Sequence, residues 1–174
     1  MNKLANKTIP LATILVIAIG MKLWHRNTEA DDLYFLLLPI HYGVELLSGT
    51  RGYWITHQGF YFPQADFIID KSCSGFNLLV IMYSGIGFVG INQLFKKLHM
   101  LLWVPFSIVI AYALSIAASV LRINQTPAIQ PLLIELGLTE HMAHESIGIT
   151  TNLLMIAAGI YIINFYFSKA KTNA

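Results

Sequence analysis

The sequence predicts an all-α polytopic membrane protein, and three observations support this prediction. Hydrophobic residues make up 56% of the 174 residues and charged residues only 11%. The mean hydropathy is +0.61, and soluble domains carry roughly 25% charged residues. Several apolar stretches also approach the roughly 20 residues that a helix needs to cross a bilayer. We therefore expect a chain that crosses the membrane several times and contacts its lipids.

Four stretches are apolar and long enough, or nearly so, to be predicted as spanning helices. They are residues 8–21, 73–95, 100–121 and 144–167. A fifth stretch, residues 33–47, is weaker because it contains a proline, a histidine, a glycine and a glutamate. It is either a span that faces protein on one side or a re-entrant segment. The prediction is therefore four to five transmembrane helices in a single domain, 1–174.

Two connections separate these helices. Residues 48–72 hold strand-prone aromatic residues on both sides of a turn signal at Gln58 and Gly59, which predicts a small β-hairpin between the second and third helices. Because Trp and Tyr rings prefer the membrane–water interface, we expect the hairpin to lie there. The second connection, residues 122–143, contains two prolines and a short apolar piece, 129–138, which we interpret as a candidate interfacial helix.

The distribution of lysine and arginine predicts the orientation. One end of the last three helices carries four lysines, whereas the other end carries only Lys71 and Arg122. The four are Lys96, Lys97, Lys169 and Lys171. Positive residues favour the cytoplasm, so the end that bears Cys73, Arg122 and His144 should face outwards. The N-terminus would then lie outside with five spans and inside with four.

These expectations divide the chain into four parts. They are N-terminal helices at 1–47, an extracytoplasmic hairpin loop at 48–72, catalytic core helices at 73–167 and a cytoplasmic tail at 168–174. The net charge of +2 and the lack of a basic run give no reason to expect nucleic-acid binding. With a single cysteine the chain cannot form an internal disulfide. The first apolar run is followed by no A-x-A cleavage site, so we expect it to be retained.

Three residues suited to acyl transfer are predicted to meet at one end of the helices. Cys73 begins the third predicted helix, Arg122 ends the fourth and His144 begins the fifth. Because neighbouring helices run antiparallel, all three should lie at the same depth. A helix N-terminus has unpaired N–H groups and partial positive charge, which favours a thiolate at Cys73 and a neutral imidazole at His144. Arg122 can hold an oxyanion or a substrate carboxylate, because it carries five donors and a permanent charge.

Five further residues are candidates for supporting this group. They are Ser74, Gly75, Asn77, Ser119 and Gly148. Asn77 lies one turn beyond Cys73 and can face the same way. Gly148 lies one turn beyond His144, where the lack of a side chain would let a neighbouring backbone approach the imidazole.

Each residue also has a structural interpretation. Cys73 can be a small hydrophobe, Arg122 an interfacial anchor and His144 an interfacial histidine, while His41 and Glu45, at i and i+4, can pair with each other. Two other functions stay open. One is a membrane metalloprotease using His141, His144 and Glu145, although the zinc-protease order H-E-x-x-H is absent. The other is a non-catalytic membrane assembly or binding subunit.

Three motifs together resemble those of the exosortase/archaeosortase family. FIIDKSCSGFN at residues 67–77 resembles the motif in which a short strand leads into C-S-G at a helix start. SVLRI at 119–123 is similar to the arginine motif of the family, and HESIG at 144–148 to its histidine followed by glycine. The order of the three motifs also matches, and the resemblance covers residues 50 to 165. Two departures are Ser119, where many relatives have asparagine, and a chain shorter than many exosortases.

The resemblance implies a cysteine protease or transpeptidase in a bacterial cell membrane, with its active site on the extracytoplasmic side. Its substrates would be exported proteins that end in a sorting signal, made of a short motif, a transmembrane helix and a basic tail. Cys73 would form a thioester with the substrate, His144 would move the protons and Arg122 would stabilise the oxyanion. We expect no metal and no cofactor for this chemistry.

Overall fold

The computed structural model describes residues 5–94 and 97–172, which form five α-helices, two short 3₁₀ helices and one small sheet. The α-helices are α1 (Ala5–Arg26), α2 (Tyr34–Ser48), α3 (Phe76–Gln93), α4 (Lys97–Glu135) and α5 (Glu140–Thr172). The strands are β1 (Tyr53–Ile55), β2 (Gly59–Phe62) and β3 (Phe67–Ile69). The 3₁₀ helices are Asp31–Leu33 and Lys71–Cys73. Of the four lysines used to predict the orientation, Lys96 lies outside the described residues.

Four segments of the described chain are long and apolar enough to cross a membrane. They are Lys7–Arg26, Lys71–Gln93, Leu98–Glu135 and Glu140–Lys169. Each contains one of the four stretches predicted as spans, or most of it. The fifth prediction, residues 33–47, corresponds to α2. At 1.5 Å per residue its 15 residues extend about 22 Å, less than the roughly 30 Å of a bilayer core.

Helix α4 is longer than the sequence predicted. The predicted helix at 100–121 continues without a break to Glu135, so residues 129–135 belong to α4 and form no separate interfacial helix. Pro127 and Pro131 suggested a connection, yet both lie inside α4. They are four residues apart and share one helix face. The two missing N–H groups therefore lie on one side of α4, and the backbone hydrogen bonds on its other sides are kept. Arg122 therefore lies in the interior of α4, and the prediction that it ends the helix was wrong.

The connection at 48–72 forms a three-stranded antiparallel sheet, where the sequence predicted a two-stranded hairpin. The strand order is β1-β2-β3. Trp54 lies opposite Phe60, and Tyr61 lies opposite Ile68. The predicted turn at Gln58 and Gly59 connects β1 to β2, with His57 and Gly59 at positive φ. The third strand gives Phe60 and Tyr61 a partner on each side, which an isolated hairpin would lack.

The chain divides into two compact units. Unit 1 contains α1, residues 77–115 and the residues from 155 onwards. Unit 2 contains residues 27–76 and 116–154. Cys73, Arg122 and His144 all belong to unit 2. The predicted tail at 168–174 continues α5 as far as Thr172.

Close helix approach in unit 1 depends on two glycines of α3. A Cβ built on Gly87 would lie 2.6 Å from the Ile14 side chain, and one built on Gly90 would collide with the Trp103 ring. The Trp103 indole N–H donates to the Ile86 carbonyl at 3.1 Å. The absent side chains thus let α1 and α4 pack against α3.

The core of unit 2 forms where α2 packs on the sheet. His41 is only 6% exposed, and its ring stacks on Phe60, with centroids 4.0 Å apart and planes 7° from parallel. Its Nε2 lies 3.5 Å from a Glu45 carboxylate oxygen, as the i, i+4 spacing predicted. Its buried Nδ1 has no hydrogen-bond partner among the described residues. Burial lowers the pKa of His41, and the nearby Glu45 charge only partly opposes this.

We predict that the protein loses stability as the pH falls below 6.5, the ordinary pKa of histidine. Because the pKa of His41 is lowered in the folded state, the unfolded chain binds more protons between that lowered value and 6.5. The His41 contribution is therefore complete above 6.5 and declines below it. Thermal unfolding in detergent from about pH 8 to about pH 5 measures the loss. His41→Phe retains a stacking ring without the titration, so its stability should depend less on pH; an unchanged dependence would contradict the prediction.

Candidate active site

Unit 2 contains a cleft of about 850 Å³ that is bordered by Cys73, Arg122 and His144. Residues 65–68, at the start of β3, form one wall. Residues of α4 between 122 and 130 form a second wall, and residues 139–144 at the start of α5 form a third. The structure therefore brings together all three residues that the sequence predicted to share a site.

Cys73 lies on a short turn that is organised by Asp70. One carboxylate oxygen of Asp70 accepts hydrogen bonds from the Ser72 N–H at 2.9 Å, the Ser72 hydroxyl at 2.6 Å and the Cys73 N–H at 3.3 Å. Cys73 ends the Lys71–Cys73 turn and is partly exposed, whereas α3 begins only at Phe76. The prediction that Cys73 begins the third α-helix was therefore wrong by one turn. Its N–H is already paired, because the chain forms the turn before it enters α3.

Asp70 is the residue that the sequence analysis missed. An aspartate just before a helical turn is a frequent N-cap, because its carboxylate accepts the first free N–H groups of that turn. The spacing of Asp70 before Ser72 and Cys73 is this pattern. The signal was present in the sequence, and the N-cap rule would have found it.

Ser74 and Gly75 connect this turn to α3. The Ser74 hydroxyl is buried, accepts a hydrogen bond from the Phe76 N–H at 3.3 Å and donates to the Lys71 carbonyl at 2.7 Å. Gly75 has φ of +67°, a conformation that favours glycine. Both residues thus shape the backbone that holds Cys73. Asn77, a further candidate, belongs to unit 1, where its side chain accepts a hydrogen bond from Lys22.

The Arg122 side chain lies beside the cysteine turn. Its Nη2 donates to the Ser72 carbonyl at 3.4 Å. A Cβ built on Gly148 would lie 3.5 Å from both Cδ and Nη1 of Arg122. Gly148 therefore leaves room for the guanidinium, whereas the sequence predicted room for a backbone beside the imidazole. The difference arises because α4 continues past Arg122 and passes α5 beside Gly148. Ser119, which lies one turn before Arg122 in α4, is buried.

His144 lies in the second turn of α5, and its exposed ring borders the cleft. The helix begins one turn earlier than predicted, at Glu140, because the Thr139 hydroxyl accepts a hydrogen bond from the Met142 N–H at 3.3 Å and so caps an additional turn. The imidazole therefore projects from the side of a formed helix.

The residues of the metalloprotease alternative form a looser group. The Nδ1 atom of His141 lies 3.7 Å from Oε2 of Glu145, and both side chains are exposed. Within residues 5–94 and 97–172, the only group of three histidine or acidic side chains with ligand atoms within 4.8 Å of one another is Glu29, Asp31 and His57. His141, His144 and Glu145 are thus not assembled as one ligand set.

Comparison of the chain with family models, curated proteins and solved structures finds no match.

We predict that Asp70→Ala loosens the cysteine turn, because three hydrogen bonds to one oxygen are lost. Loss of an N-cap costs about 0.5–2 kcal/mol. Asp70→Asn keeps an oxygen acceptor and should lose less. Cys73 is the only thiol of the chain, so its reaction rate with a maleimide reports on the turn without background. We expect the fastest labelling in Asp70→Ala; a rate equal to that of the wild type would show that the carboxylate does not order the turn.

Proposed function

We propose that the protein is a membrane cysteine protease or transpeptidase of the exosortase type, which cleaves exported proteins before a C-terminal transmembrane helix. The observation that carries this proposal is that Cys73, Arg122 and His144, from three distant parts of the chain, border one cleft. A thiol nucleophile, an imidazole and a cationic hydrogen-bond donor are the groups that acyl transfer through a covalent intermediate requires. The resemblance of the three surrounding motifs adds the substrate class.

In the first step the Cys73 sulfur attacks the carbonyl carbon of the scissile peptide bond. A carbon–sulfur bond forms, and the carbonyl oxygen becomes an oxyanion. Arg122 is suited to stabilise that charge, since its Nη2 lies 3.4 Å from the carbonyl of Ser72, the residue before Cys73. A guanidinium stays protonated and presents several donors in a planar fork.

His144 moves the protons. It accepts the thiol proton as Cys73 attacks and delivers it to the leaving amine as the carbon–nitrogen bond breaks, which leaves a thioester on Cys73. Water, an amine or a hydroxyl group then attacks the thioester and gives a proton to His144. As the carbon–sulfur bond breaks, His144 returns this proton to the sulfur, and the thiol is restored. The sequence of steps involves no net oxidation or reduction and needs no cofactor.

We place the cleft on the extracytoplasmic side of a bacterial cell membrane. Lys97 begins α4, well before Arg122, and Lys169 lies near the end of α5, well beyond His144, and positive residues favour the cytoplasm. With four spans the N-terminus is then cytoplasmic. The aromatic sheet lies at the outer interface, where rings such as Trp54 are favoured.

We predict that a membrane-impermeant maleimide labels Cys73 on intact spheroplasts. Cys73 is partly exposed and borders the cleft, so the reagent should reach it from outside. Cys73→Ser should abolish labelling, because the chain has no second thiol. Labelling seen only after lysis would reverse the proposed orientation.

We predict a thioester adduct on Cys73 in cells of the native host. The tagged protein is trapped with acid, and its Cys73 peptide is examined by mass spectrometry. Neutral hydroxylamine should release the adduct, since it cleaves thioesters but not peptide bonds. Cys73→Ala should eliminate the adduct, and His144→Ala should slow its formation by about 10²–10⁴-fold. Arg122→Lys should also slow it severely, because an ammonium lacks the planar fork.

His141→Ala is the matched control, since His141 is exposed and borders the same cleft one turn before His144. Its effect on the adduct should be far smaller than that of His144→Ala. Cleavage that a chelator blocks, with no adduct on Cys73, would favour the metalloprotease. Full function of Cys73→Ser in the host would favour a non-catalytic assembly subunit.

A further inference from the structure

Strand β3 is both the edge of the sheet and a wall of the cleft. The strand order β1-β2-β3 leaves its outer side without a paired strand in the described part of the chain. Phe67 and Ile68 border the cleft that Cys73 also borders. The strand leads directly through Asp70 into the cysteine turn. An open strand edge therefore lies close in sequence and space to the proposed nucleophile.

The register shows which backbone groups point outwards. A Cβ built on Gly59 would meet the carbonyl oxygen of Ile69, so this carbonyl points towards β2. Backbone groups alternate in direction along an antiparallel strand. The N–H and carbonyl of Ile68, which lies opposite Tyr61, therefore point away from β2. They form a donor and acceptor pair at the open edge.

We propose that the substrate binds as an added strand on β3, with the extended segment upstream of the scissile bond paired to Ile68. This inference rests on the proposed function and specifies the form of the substrate that the site accepts. Main-chain hydrogen bonds to a sheet edge hold a peptide extended and depend little on its side chains. The strand then directs the peptide along the wall that ends at Cys73.

The surroundings of β3 favour a single peptide strand as the occupant. Exposed strand edges invite pairing with other sheets, and proteins usually cover them. Here the same cleft has walls from α4 and the start of α5, which leave about 850 Å³. This volume lies within the roughly 300–1,000 Å³ typical of ligand sites. An unfolded segment next to a transmembrane helix fits this space, whereas the edge of a whole folded sheet would meet the helical walls.

The first test modifies the substrate backbone. The probe is a series of synthetic peptides that copy the segment found attached to Cys73 and continue past the scissile bond with an amide-linked leaving group, each with one N-methyl group at a successive upstream position. Pairing with one edge uses every second N–H of the added strand. Because Ile68 is the residue of β3 whose backbone groups point outwards, adduct formation should fall about tenfold at the one position that pairs with Ile68, as expected for one lost hydrogen bond, and change little at the positions on either side. Losses that are not confined to one position in this way would overturn the proposal.

The second test modifies the edge. Ile68→Pro removes the outward N–H, and proline is tolerated on an edge strand where that group is not used within the sheet. Ile68→Ala shortens the side chain to a similar extent but keeps the N–H. Adduct formation should be about tenfold slower in Ile68→Pro than in Ile68→Ala. Thermal unfolding and the maleimide reactivity of Cys73 report whether each variant is folded, and the N-methyl series decides the question if Ile68→Pro is not.

The outcomes separate this proposal from the function on which it rests. A wild-type protein that forms no adduct would overturn both. An adduct that forms equally in Ile68→Pro and Ile68→Ala, with no loss confined to one position in the N-methyl series, would overturn the added strand alone. A change of oligomeric state in Ile68→Pro, with adduct formation equal to that of Ile68→Ala, would assign the edge to a second copy of the chain and also overturn the proposal.

Discussion

The hydrogen bonds to the Asp70 carboxylate connect the sheet of unit 2 to its thiol. Asp70 follows β3 directly and holds the backbone of Ser72 and Cys73 through one oxygen atom. The Ser72 carbonyl in turn receives the Arg122 guanidinium. A single capped turn thus positions both the proposed nucleophile, Cys73, and the Ser72 carbonyl that binds Arg122, the proposed oxyanion donor. Such a turn is stiffer than an unconstrained loop, because other conformations of the turn would break the hydrogen bonds from its N–H groups to the capping carboxylate.

The Lys71–Cys73 turn follows a sheet that is held in place by its packing against α2. Leu36, Leu37 and Ile40 of α2 are fully buried although the helix is too short to span a bilayer. Their apolar surface is covered by protein, together with Phe62 and Ile69 of the sheet. His41 stacks on Phe60 within this core, and burial there lowers the pKa of its imidazole. The short helix α2 and the small sheet therefore form the scaffold that supports the cleft.

Apolar length predicted the four candidate spans, and aromatic and β-branched residues predicted the strand positions. Both signals lie within single segments of the chain, so they can be recognised without knowing which segments contact each other. Arg122 was misplaced because two prolines on one face of a helix interrupt few hydrogen bonds, an effect that position in the sequence does not reveal. The space at Gly148 was assigned to the wrong neighbour for the same reason, since contacts between α4 and α5 depend on where α4 ends. Asp70, by contrast, was predictable from the capping rule.

The length of α4 has a consequence for the depth of the site. If α4 and α5 enter the hydrocarbon near their lysine-bearing ends, a rise of 1.5 Å per residue carries Arg122 about 36 Å from Leu98, and His144 about 38 Å from Lys169. Both distances exceed the roughly 30 Å of the hydrocarbon core. A guanidinium at that height would avoid the cost of a charge inside the bilayer, and water would have access to the proposed thioester. The residues after Leu121, which the sequence analysis assigned to a connection, would then belong to a part of α4 that lies beyond the hydrocarbon core and forms a wall of the cleft.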